Sequence, residues 1–274
     1  MPDFEEKSTL FQARMIRSIT AQLRMTMTNV FASADLLAPT EAREQDPKLD
    51  KNAAIHSMSC HQMLRLISNL STAADLMEGG RFEPKNDDIA GLCRELCEKA
   101  EYLFEMKGVA LECVCEPVSQ VVAFDSALME RLVLNLLSNA LKFTPAGGRV
   151  EVRVKSAKGR IVLSVSDTGC GIPADRLDNI FDRFLDAGQI DAAPYGLGLG
   201  LFLCSLIARK HSGRIMAQSR EGEGTTFTLS LPERKAPTAE LHDLPFDYAG
   251  GFNHVLMELS DALPSGAFLQ KYTD

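Results

Sequence analysis

The chain has 274 residues, 45% of them hydrophobic and 24% charged, which is material for about two packed domains and excludes disorder over most of its length. A net charge of −8 disfavours a general nucleic-acid role, because phosphate backbones demand a basic surface. No run of about 18 apolar residues occurs and the acidic start MPDFEEKSTLF lacks a leader pattern, so the expectation is a cytoplasmic protein without a membrane segment.

Residues 9–37 carry Met15, Ile19, Leu23, Met27, Val30, Ala34 and Leu37 at steps of four and three, which predicts a helix with one narrow apolar stripe. APTEAREQDPKLD, with two prolines and many charges, reads as a loop. Ile55, Met58, Gln62, Leu66, Leu70, Ala73 and Met77 continue the stripe over 50–77, and Gly79 is a helix stop. Two such helices make an antiparallel hairpin over 8–80 with uncovered apolar faces. A second copy, giving a homodimeric four-helix bundle, covers them; so does packing on the chain's own second domain.

From residue 85 to 232 helical and strand patterns alternate. Residues 88–106, 126–141, about 175–182 and 198–211 read as helices; VALECVCE, QVVAF, GRVEVRV, RIVLSVS, RIMAQS and TTFTLSLP read as strands. The fold class is α+β: a two-helix hairpin followed by an α/β sandwich with helices on one face of a mixed sheet. Residues 233–274 form an extension with one short helix at NHVLMELSDAL, capped by Asn253. The chain's cysteines, among them Cys93, Cys97, Cys113 and Cys115, lack CxxC spacing and read as reduced apolar thiols rather than a zinc site.

Four segments carry chemistry. In NLLSNALKFTP, Asn135 and Asn139 share a helix face and Lys142 lies one turn on; an amide oxygen suits Mg²⁺ and a lysine suits phosphate. In DTGCGIP, Asp167 ends a strand before Gly169 and Gly171, where a carboxylate can accept from an exocyclic amine such as that of adenine. Gly196, Gly198 and Gly200 run into an apolar helix whose free N–H groups make an anion site. In EGEGTTFTL, Gly224 and Thr225 open the last strand. Each segment alone also reads as an ordinary helix face or turn.

Their order, with Phe181 and Phe184 in IFDRF between the second and third, resembles the N, G1, F, G2 and G3 boxes of the histidine-kinase ATPase domain. That family shares its ATP-binding superfamily with gyrases and the Hsp90 chaperones. The resemblance covers about 85–232 and implies ATP and Mg²⁺ as cofactors. It implies Asn139 as the metal ligand and Asn135 and Lys142 near the phosphates. Asp167 would read adenine among Gly169, Gly171 and Thr225, and Gly196, Gly198 and Gly200 would cradle phosphates under a mobile lid at 185–195.

The hairpin resembles the dimerisation and phosphoacceptor domain of the same kinases. Aligning Leu36 and Leu37 with the family's leucine pair sets AQLRMTM on the motif H-E-L-R-T-P-L. Leu23 and Arg24 match; Ala21 replaces the acceptor histidine and Gln22 the acidic residue. A methyl group has no lone pair for in-line attack on phosphorus, and Gln22 cannot take a proton as a carboxylate does. His56 and His61 lie on the second helix, outside any such motif. The implied function is a two-component kinase core that binds Mg·ATP but cannot phosphorylate itself at position 21. The partner would be a response regulator receiver domain or a partner kinase. The alternatives are a pseudokinase scaffold governed by nucleotide state and, further off, an anti-sigma-type serine kinase.

Overall fold

The computed structural model describes residues 2–115, 121–181, 198–237 and 253–273. Helix α1 (Pro2–Leu37) runs to the threshold of Pro39, which disfavours helical geometry in the residue before it. The segment expected as a loop is shorter and more ordered than its composition implies. It holds α2 (Thr40–Gln45), and α3 (Pro47–Met77) begins at the second proline. Each proline opens a helix rather than breaking one: the first turn needs no N–H there. Asp46 caps α3, its carboxylate accepting from Lys48 N at 2.9 Å and Leu49 N at 3.3 Å. Gly79, at φ +81°, ends the hairpin as the sequence predicts.

The second domain is a five-stranded mixed sheet in the order β2-β4-β5-β7-β6. Its strands are β2 (Ala110–Cys115), β4 (Arg149–Ala157), β5 (Arg160–Asp167), β6 (Arg214–Arg220) and β7 (Gly224–Pro232). β2 pairs with β4 in parallel and the other pairings are antiparallel. Alternate residues turn to one face: Val150, Val152 and Val154 from β4, Ile161, Leu163 and Val165 from β5, Phe227, Leu229 and Leu231 from β7. Helices α4 (Ile89–Met106), α5 (Ser126–Phe143) and α7 (Leu199–Lys210) cover that face. A four-residue helix, α6 (Ala174–Leu177), precedes the Gly-rich segment.

QVVAF contains the expected strand, β3 (Val121–Phe124), but it leaves the main sheet and pairs with β1 (Lys85–Asp88). β1 reads KNDD and has no apolar alternation, so nothing local marks it; backbone pairing with β3 makes it a strand. The extension forms α8 (His254–Leu259), with Asn253 Oδ1 accepting from Leu256 N at 3.0 Å as its cap. A 3₁₀ turn (Ser265–Phe268) and α9 (Gln270–Thr273) follow, with Phe268 fully buried. Among the described residues, no helix is long and apolar enough to cross a membrane.

Along the predicted stripe, Met27 and Ala73 are buried and Val30, Ala34, Met58, Gln62 and Leu70 half-buried. α3 packs on α1, α7, α8 and the 3₁₀ turn: Cys60, Leu64 and Ile67 cluster with Met27 of α1 and Met257 of α8, while Arg65, Ser68 and Asn69 reach α5 and the tail by hydrogen bonds. The predicted apolar residues Ile55, Leu66 and Met77 stay 40–42% exposed, as do Met15, Ile19 and Leu23 of α1 at 43–49%. Beside these apolar contacts, the buried polar side chains Arg65, Ser68 and Asn69 of α3 are satisfied by partners on α5 and α8.

Candidate functional site

α5 opens with Asp125 as its cap, one carboxylate oxygen accepting from Leu128 N at 3.2 Å and the other from Glu83 N at 3.0 Å. Being packed against α4, α7 and α8 as well as the sheet, α5 is buried on nearly every side, and only its C-terminal end opens on a cavity. Asn139 and Lys142 line that cavity. Asn135, one turn earlier, does not: it is fully buried, its Nδ2 donating to Arg131 O at 2.9 Å. Its Oδ1 accepts from Arg65 Nη2 at 3.2 Å and Asn69 Nδ2 at 3.4 Å. The i, i+4 pair is thus divided, with Asn139 on the cavity wall and Asn135 behind it.

β5 delivers Asp167 to the cavity. Its Oδ1 accepts from Gly169 N at 2.8 Å and Thr225 N at 3.3 Å. Among the described residues no hydrogen bond reaches Oδ2, which leaves an acceptor for a ligand amine. Burial raises the Asp167 pKa above the ordinary carboxylate value, and the two backbone donors oppose the rise. The following loop turns at Gly171, with φ +70°, where a Cβ would lie 2.1 Å from the carbonyl oxygen of Arg220; only glycine fits. Thr225 reaches the cavity from β7, its hydroxyl 2.9 Å from Ser219 Oγ.

The third wall is the start of α7. Gly198, at φ 71°, is its N-cap, and among the described residues no side chain caps the helix. At Gly200 a Cβ would meet Asn135 Oδ1 at 2.7 Å, so the backbone lies flush against α5. Phe181 sits edge-on to Phe227 at 6.3 Å between ring centroids, and Phe227 lines the cavity. Phe184, Gly196 and the expected lid at 185–195 lie outside the described residues.

The cavity holds about 160 Å³. Its donor set suits a magnesium nucleotide: a carboxylate for an amine, an amide oxygen for a hard cation, an ammonium and free helix N–H groups for phosphate. The sequence reading missed the wall supplied from outside this domain: Arg65, Leu66 and Asn69 of α3, and Asp261 just past α8. The signal was present, since an arginine inside HQMLRLISNL is costly to bury without an anion.

On the hairpin, Ala21 and Gln22 are exposed on α1, and Arg24 Nη2 donates to Ser68 Oγ of α3 at 3.3 Å. His56 is exposed. His61 is buried between Phe31 and Phe268, ring centroids 5.2 Å from each. On β2, Cys113 and Cys115 have sulfurs 3.4 Å apart. Among the described residues no group of three or more His, Cys, Asp or Glu is placed to hold a metal.

Comparison with known proteins agrees with the fold. The family model described as histidine kinase-, DNA gyrase B-, and HSP90-like ATPase matches residues 124–235. Histidine protein kinase DivJ of Caulobacter vibrioides is 32% identical over 234 residues, 82% of this chain and 38% of that protein. Sensor protein DivL of the same organism is 30% identical over 233 residues, 84% of this chain and 29% of that protein. The chain therefore spans well under half the length of either of these two relatives. Full-length ShkA in complex with AMPPNP superposes with a TM-score of 0.65 at 26% identity, covering 81% of this chain and 46% of that one.

Proposed function

From a chain that carries an ATPase domain of the histidine kinase-, DNA gyrase B-, and HSP90-like family, and whose relatives are sensor histidine kinases, we propose a two-component signalling protein that binds Mg·ATP and does not phosphorylate itself at position 21. The carrying observation is the cavity where Asn139, Lys142, Asp167, Gly198, Gly200 and Thr225 meet from separated segments. Asp167 binds and orients the adenine amine. Lys142 and the α7 N-terminus hold the phosphates, and Asn139 is the side chain that would hold magnesium. Bound magnesium supplies positive charge to the phosphate oxygens. The hairpin supplies a docking surface but, at Ala21, no nucleophile.

The phosphoryl group then has a partner as its destination, a response regulator or another kinase. The exposed methyl of Ala21 favours a second reading too: the nucleotide state itself is the signal, and the chain is a scaffold. Incubation with ATP labelled at the γ-phosphate, with and without candidate receiver domains, separates these. Acid-labile, base-stable label on a partner kinase, or label labile to both acid and base on a receiver carboxylate, supports transfer; no label with nucleotide bound supports the scaffold. Acid-stable label on either protein points to a serine kinase. In Ala21→His, label is expected at the new histidine. Phosphohistidine on the unaltered chain alone would overturn the proposal.

A further inference from the structure

Arg65, midway along α3, is 6% exposed, and its guanidinium is held on three sides. Nε donates to Glu258 at 3.2 Å, Nη1 to Asp261 at 2.5 Å, and Nη2 to Asn135 Oδ1 at 3.2 Å. The two carboxylates differ in setting. The Glu258 side chain is wholly buried, whereas that of Asp261 is 32% exposed. Arg65 and Asp261 also line the nucleotide cavity together with Asn139 and Lys142; Glu258 does not.

A guanidinium fork accepts a carboxylate or a phosphate in the same planar geometry. A desolvated arginine cannot be left without an anion, but it can exchange one anion for another. Glu258, sealed behind it, keeps the fork aimed. Asp261, on the cavity side and in reach of water, is the exchangeable partner. A triphosphate drawn in by Lys142 and the α7 N-terminus brings more negative charge to the same place. We propose that Arg65 is a phosphate-binding residue of the nucleotide site, supplied by the hairpin, and that Asp261 is an internal carboxylate which occupies it until a nucleoside triphosphate takes over. This rests on the reading that the cavity binds ATP. It makes the segment after α8 a competitor of the terminal phosphates. By linkage, whatever fastens that segment weakens triphosphate binding by the same factor.

The test is titration calorimetry of the full chain with Mg·AMPPNP and, separately, adenosine. Asp261→Asn removes the competing charge and keeps the side-chain shape. It is expected to tighten AMPPNP roughly threefold to tenfold, the scale of a partly exposed ion pair, and to leave adenosine unchanged. Arg65→Lys keeps the charge but loses the fork, and is expected to weaken AMPPNP alone. In the unaltered chain, AMPPNP but not adenosine is expected to speed amide hydrogen exchange over residues 254–263. Unchanged or weaker AMPPNP binding in Asp261→Asn overturns the proposal, as does unaltered exchange at nucleotide saturation. If neither ligand binds the unaltered chain or Asp261→Asn, the ATP reading falls and takes this one with it.

Discussion

Asp167 is a carboxylate whose placement costs stability and serves binding. Its folded-state pKa is raised by burial, so the fold favours the protonated acid, and ionisation above that pKa subtracts from stability instead of adding to it. Asp167→Asn retains an oxygen for Gly169 N and Thr225 N. Its melting temperature at pH 7 is expected to equal or exceed that of the unaltered chain, while nucleotide affinity falls at least about tenfold through loss of the charge-assisted bond. Acidification should weaken nucleotide binding in the unaltered chain from a pH above the ordinary Asp value of about 3.9. A nucleotide titration across pH checks both points; a melting temperature that drops together with affinity would mark Asp167 as structural.

The two hairpin helices present faces of different chemistry. α3 turns a polar face with Arg65, Ser68 and Asn69 to the chain's own second domain and tail. The apolar residues Met15, Ile19 and Leu23 of α1, with Ile55 and Met63 of α3, remain 42–49% exposed. Such a band on two antiparallel helices is what a second copy covers in a four-helix bundle. Ile19→Glu with Leu23→Glu is therefore expected to shift the chain from dimer to monomer in light scattering. Both residues lie outside the α3 face that packs on the second domain, so nucleotide affinity should hold. A monomeric unaltered chain at high micromolar concentration would defeat this expectation.

Two buried histidines tie the whole molecule's stability to pH. His211 donates from Nδ1 to Ile207 O at 2.8 Å and accepts at Nε2 from Asp125 N at 3.0 Å, so a second ring proton would face an N–H. His61 joins α3 to Phe31 of α1 and Phe268 of the tail. Burial lowers the pKa of both below the usual value near 6.5. The unfolded chain then binds more protons than the folded one in that range, and stability falls as pH drops from about 6.5 toward the depressed values. Denaturant melts at pH 7.5 and 5.5 should show a lower midpoint at the acid end, with the slope preserved. Equal midpoints would mean that both rings are protonated in place without cost.

Periodicity, caps and glycine spacing are local, and so they were legible: the two long helices, the α5 and α7 helices, the strand ending at Asp167, the Asn253 cap and the segments that meet in the cavity. Strand β1 was not, because KNDD acquires its structure from partners 33–39 residues away. Nor were the buried polar groups of α3, the withdrawal of Asn135 behind the cavity wall, or the entry of Arg65 and Asp261 into it. These follow from which polar groups find partners once hairpin, sheet and tail are packed together. A buried guanidinium selects its anions by proximity in space, and that proximity is a property of the assembled fold, not of spacing along the chain.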